Sequence, residues 1–168
     1  MKKIVILLIG LTWVSYVSAG ELNWQYRSFF DVSLGGAYNL NTSQLISTNN
    51  MQFYCMISSS HGIAVNNWFV GGGVGYYHSC RDREDMYPIY AVGRYIFERV
   101  ESNPYLETRG GIIYDPFWER KMQVYGSLGT GIEIYKGIQV GIRLSMFSRP
   151  SRFFTANAAF FMSYSFGN

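Results

Sequence analysis

The chain holds two histidines, His61 and His78, and two cysteines, Cys55 and Cys80. His78 is followed by Ser79 and then by Asp82 and Asp85. A base, a hydroxyl and a carboxylate are the parts of a relay that makes serine a nucleophile, so this stretch is a candidate acyl-transfer set. Nearness along the chain does not set triad geometry, and an interfacial histidine beside a polar loop is the favoured reading. His61 stands beside Gly62 at an expected turn. Gly71-Gly72-Gly73-Val74-Gly75 lacks the sixth-position glycine of a dinucleotide fingerprint, where Tyr76 stands, and no Lys-Ser or Lys-Thr follows for a P-loop. Its alternate glycines instead make room for large inward neighbours such as arginines. The run Arg81-Asp82-Arg83-Glu84-Asp85 reads as a solvated loop with internal ion pairs, with a partner, a metal or lipopolysaccharide phosphates as the functional alternative.

If residues 62–67 form the connection between two strands, residue 55 pairs near residue 75 and Cys80 lies about 17 Å further along at strand rise. That exceeds the roughly 7 Å between Cα atoms that a disulfide tolerates, so both thiols are expected unbridged. Neither spacing nor neighbours suggest a zinc site. No metal or cofactor is expected.

The remaining chemistry lies in seven charged residues: Asp31, Arg94, Glu98, Glu107, Arg109, Glu133 and Arg143. Their positions become meaningful through the elements that carry them. Along residues 138–147, Ile138, Val140, Ile142, Leu144 and Met146 alternate with Gln139, Gly141, Arg143 and Ser145. A period of two with distinct faces marks a strand. The same alternation predicts eight strands over about 28–39, 51–61, 68–79, 87–99, 104–114, 122–134, 138–148 and 152–167. Each is ten residues or longer, which suits a tilted membrane strand better than the five or six of a soluble one. Shorter and longer connections mostly alternate, as in a transmembrane barrel.

All seven charges fall on the polar parity. An eight-stranded barrel is just narrow enough to be filled by side chains, so a lumenal set must pair internally. They are expected to plug the barrel and hold its register, with a narrow ion or proton path as the alternative. The apolar parity carries rings near both strand ends: Tyr38, Tyr76, Tyr114 and Phe154 towards the longer loops, Phe30, Trp68, Phe97, Tyr164 and Phe166 towards the short turns. Aromatic girdles at two interfaces are a bilayer signature. A soluble lipocalin-like barrel alternates too, but turns its apolar face inward.

Composition agrees. Of 168 residues, 15% are charged and 18% aromatic, which excludes a disordered chain or a coiled coil. Met1-Lys2-Lys3, the apolar run Ile4–Val17 and the end at Ala19 read as a cleaved signal peptide, 1–19. A short lead-in, 20–27, and one barrel domain, 28–168, follow. Removing Lys2 and Lys3 lowers the net charge from +3 to +1, so no pull on nucleic acid is expected.

Three stretches carry a family resemblance: Asp31–Tyr38, Trp68–Tyr77 and Pro104–Gly111. With the alternating strands around them, the chain resembles the small outer-membrane β-barrel proteins of Bacteroidota and, more broadly, the OmpA/OmpX-like eight-stranded barrels. The final strand, with Phe160, Met162, Tyr164 and Phe166 on one face, resembles the signal read by the barrel-assembly machinery, although Gly167-Asn168 follow the last ring. The resemblance implies an all-β, eight-stranded antiparallel up-and-down barrel in the outer membrane, in contact with lipid and lipopolysaccharide. The expected protein is monomeric and non-enzymatic. A lipid-modifying outer-membrane enzyme and a soluble periplasmic binding barrel are the alternatives.

Arg143→Leu separates the membrane and soluble readings. Inside a plugged barrel it strands carboxylates and costs about 3–5 kcal/mol; on a water-facing surface it leaves the denaturation midpoint unchanged.

Overall fold

The computed structural model describes residues 24–40, 51–80, 84–97, 102–116, 122–148 and 154–166. The expected leader, Asp82 and Glu98 lie outside the described residues. Eight strands follow one another: β1 (Trp24–Leu40), β2 (Met51–Val65), β3 (Trp68–Ser79), β4 (Glu84–Ile96), β5 (Tyr105–Tyr114), β6 (Met122–Tyr135), β7 (Ile138–Ser148) and β8 (Phe154–Phe166). Each pairs antiparallel with the next, and β8 returns to β1, closing the sheet. Closure satisfies the backbone groups that an edge strand would expose, a requirement that lipid makes strict.

The registers fix the shape. Partner to partner from His61, the path runs through Gly72, Ala91, Gly110, Gly126, Met146, Ala156 and Tyr38, and returns to β2 at Met51. The return is ten residues from the start (61 − 51). A stagger of this size tilts the strands by about 40° and leaves a lumen that side chains fill.

Several boundaries differ from the sequence reading. β1 starts at Trp24, inside the expected lead-in, because alternation already runs through Trp24 and Tyr26. β4 lies three residues earlier than expected, over Glu84–Ile96. β2 continues to Val65, since Ile63 stays on the outer face, and only Asn66-Asn67 turn the chain. Asn66 takes φ 51, which asparagine tolerates. The shorter turn resets the register: Cys55 pairs with His78, not with a residue near 75. Pro88 has no N–H to give, and β3–β4 pairing is interrupted between Val74↔Ile89 and Tyr77↔Met86.

The two faces are inverted relative to a soluble protein. Leu34, Val70, Val124, Leu128 and Phe160 are more than 60% exposed, whereas Arg94 and Arg109 are at most 2% exposed. The charge-bearing parity lines the lumen and the apolar parity faces out, which overturns the lipocalin-like alternative. The lumenal glycines do make room, but not mainly for arginine. A Cβ on Gly73 would meet the Tyr90 ring at 2.7 Å, and one on Gly75 would meet Pro88 at 3.0 Å.

Gly110 and Gly111 are adjacent and face opposite ways. A Cβ on Gly111 would lie 2.1 Å from the Ile89 carbonyl oxygen, while one on Gly110 meets nothing within 4 Å. Gly111→Ala is therefore expected to lose about 1–3 kcal/mol and Gly110→Ala to be neutral or slightly stabilising. Urea titration of the folded, compact band on an unboiled SDS gel measures both.

Candidate functional site

Five of the predicted lumenal charges meet at mid-barrel: Asp31 from β1, Arg94 from β4, Glu107 and Arg109 from β5, and Arg143 from β7. Glu107 is the hub. Its Oε2 accepts from Arg94 Nη2 at 2.5 Å and Nε at 3.2 Å. Its Oε1 accepts from Arg109 Nε at 2.7 Å and Arg143 Nη2 at 2.9 Å. Asp31 Oδ2 pairs with Arg109 and, at 3.3 Å, with Arg143.

Neutral side chains take up the other guanidinium arms. Arg94 Nη1 donates to Gln139 Oε1 at 2.5 Å, Arg109 Nη1 to Tyr90 OH at 2.9 Å, and Arg143 Nη1 to Ser33 Oγ at 3.2 Å. Rings cover the cationic planes: Arg94 lies over Phe29 and Tyr105, Arg109 over Tyr90, and Arg143 over Phe161, at 3.9–4.7 Å from the centroids. Sequence parity points to the charges; Ser33, Tyr90, Gln139 and Ser58, whose Oγ accepts from Arg109 Nη1 at 3.1 Å, share that parity but carry no charge to single them out.

Glu133 stands apart from this cluster. It accepts from the Gly137 backbone N–H at 2.9 Å and from Asn103 Nδ2 at 3.4 Å, so it braces the β6–β7 turn. Further rings pack within the lumen: Tyr54 stacks on Tyr77, Phe29 meets Phe69 and Tyr77 meets Phe147 edge-on, and Tyr90 tilts against Tyr125. Arginines committed to carboxylates and covered by rings are suited to holding strands together.

The histidines lie on the outer face. At the end of β3 and the start of β4, Asp85 Oδ1 accepts from Tyr76 OH at 2.6 Å and meets His78 Nδ1 at 2.7 Å. The predicted His–Ser–acid set is therefore only partly assembled. His78 and Asp85 come together, but Ser79 points into the lumen and is 1% exposed, because neighbouring strand residues face opposite ways. His61 bonds Tyr26 OH through Nδ1 at 2.7 Å and Ser59 Oγ through Nε2 at 2.9 Å, partners the sequence reading did not assign. Cys55 and Cys80 are both unbridged and share the outer parity of their strands. The expected separation was too large: Cys80 is two residues past the partner of Cys55, not five. Among the described residues no group of three or more His, Cys, Asp or Glu side chains is arranged to hold a metal.

No family model and no curated protein matches the chain. Solved structures match its fold. Neisserial surface protein A is 15% identical with TM-score 0.55, covering 84% of this chain and 97% of its own. The outer-membrane enzyme PagL is 15% identical with TM-score 0.56, covering 80% and 98%. Ail, the attachment invasion locus protein of Yersinia pestis, solved with the heparin analogue sucrose octasulfate, is 10% identical with TM-score 0.53, covering 84% and 99%. The chain thus has the fold of small eight-stranded outer-membrane barrels.

Glu107→Gln removes the carboxylate that three guanidinium groups share and leaves Asp31 as their only buried counter-charge within the cluster. The expected loss is about 3–5 kcal/mol, read as a lower urea midpoint for the folded barrel in lipid vesicles.

Proposed function

We propose that this chain is an integral protein of the bacterial outer membrane, a monomeric, non-enzymatic scaffold whose lumen is a plug. The observation that carries this reading is the inversion of polarity. Large apolar side chains cover the outside, and three buried arginines pair with two buried carboxylates inside. Water penalises that arrangement and a bilayer rewards it.

The connections at one end of the barrel span 41–50, 80–83, 115–121 and 149–153; those at the other include the two-residue turns 66–67 and 136–137. The longer set belongs outside the cell and the short turns in the periplasm. Both strand termini, Trp24 and Phe166, lie at the short-turn end, which suits export behind a cleaved leader and delivery to the barrel-assembly machinery. Lipid and lipopolysaccharide are the proposed surroundings of the outer wall. That PagL is an enzyme does not transfer with its fold. The present lumen favours plug over pore, because Glu107 and the rings around Arg94 occupy its middle.

Two measurements test this together. The protein should partition with the outer membrane and migrate faster unboiled than boiled on an SDS gel. In a planar bilayer the folded barrel should pass no more current than the bare membrane. Recovery in the soluble periplasmic fraction without a mobility shift would refute the membrane assignment, and steady channel openings would refute the plug.

A further inference from the structure

His78 differs from His61 in one respect that bears on chemistry. Both ring nitrogens of His61 are engaged, by Tyr26 and by Ser59. His78 is held through Nδ1 alone, by Asp85 at 2.7 Å, and no hydrogen bond to its Nε2 occurs among the described residues. Asp85 is in turn held by Tyr76 OH at 2.6 Å, and the Tyr76 ring stacks on the imidazole with centroids 6.3 Å apart. A carboxylate on one nitrogen fixes the tautomer and leaves the other nitrogen as an oriented base.

Two thiols flank that base. Cys55 faces His78 across the β2–β3 pair, but it sits between Phe53 and Ile57 and is only half exposed. Cys80 follows His78 by two residues and is exposed. Its N–H still bonds Phe53 O at 2.9 Å, so the strand alternation reaches it and places it on the outer face with His78. Two residues of strand separate their Cα atoms by about 6.6 Å on one face. The group lies where β3 ends and β4 begins, beside Tyr76 and Tyr87 on the outer wall, at the level where amphipathic rings meet lipid headgroups. Ester carbonyls of membrane lipids sit at that level. Ser59, by contrast, pairs with Phe30 and Val74 within the apolar wall.

We propose that Cys80 is an acyl-acceptor site, with His78 as its base and Asp85 as the positioning residue, and that the donor is a carboxylic ester of a membrane lipid. The proposal rests on the membrane-spanning reading and adds a stoichiometric modification to a barrel that does not turn over substrate. The thiol proton passes to Nε2 of His78, and the thiolate sulfur adds to the ester carbonyl. The carbon–oxygen bond then breaks, and the departing alkoxide takes the proton from the imidazolium. The products are a thioester on Cys80 and a lipid hydroxyl, with no change in oxidation state.

The test uses the full chain folded in detergent, with p-nitrophenyl octanoate as the probe. One equivalent of p-nitrophenolate per barrel is expected, with an octanoyl adduct on Cys80 that mass spectrometry locates and hydroxylamine removes. Cys80→Ser should carry no thioester, and Cys55→Ala should label as the parent does. His78→Ala should slow labelling about a hundredfold. Asp85→Asn should slow labelling and Asp85→Glu should restore part of the rate, as expected of a carboxylate that orients the imidazole through Nδ1. An adduct on Cys55, equal rates with and without His78, or no adduct on a barrel that still shows the unboiled mobility shift would overturn the proposal. Loss of the mobility shift in the parent protein would instead overturn the membrane reading beneath it.

Discussion

Glu107 shares its two carboxylate oxygens among three guanidinium groups, from β4, β5 and β7, at the centre of a lumen that water scarcely reaches. Isolated, any one of those charges would be untenable there. Together they are tolerable, because every guanidinium reaches a carboxylate and every cationic plane has a ring beside it, although Arg143 Nε is left without a partner. The rest of the interior follows from that demand. Gly129 leaves space beside Arg143 and Glu107, where a Cβ would already lie 3.7 Å from both. Tyr90 takes a hydrogen bond from Arg109 and covers its plane, and the Cβ missing from Gly73 admits the tyrosine ring.

The outer wall obeys a simpler rule. It must be apolar at every strand, and its glycines are not crowded: Gly72, Gly93, Gly110 and Gly126 would gain a Cβ without a contact below 3.6 Å. Several on the inner parity stand against backbone or rings, as at Gly35, Gly111 and Gly141. The same residue type therefore serves two purposes according to parity. This explains how 14 glycines coexist with long, regular strands despite the entropic cost of glycine in a sheet.

Period-two alternation made the strands, their inward and outward faces and the lumenal charges legible in the sequence, since each depends only on local parity. Register was less legible. The β2–β3 turn was read as six residues instead of Asn66-Asn67, because Gly62 beside His61 imitates a turn. That misplacement moved the partner of Cys55 by three residues. Ser79 was legible in type but not in direction: the parity that places His78 outside sends its neighbour inside. The His78–Asp85 pair was visible as a possibility, whereas the Tyr26–His61–Ser59 contacts required the register of β1 on β2. Glu133 shared the parity of the network yet sits too near the β6–β7 turn to join it.

Asp31 lies on the first strand, 78 residues from Arg109 and 112 from Arg143 along the chain. β1 is also one side of the seam where the sheet closes on β8. While that seam is open, Arg109 and Arg143 keep only Glu107 of their two carboxylate partners, and the first strand carries an uncompensated acid. Shutting the cylinder supplies the missing pairings in the same event that completes its backbone ladder. The ionic cluster therefore acts as a latch on circularity: a half-inserted sheet receives little of its benefit, and a finished barrel resists unzipping from either end.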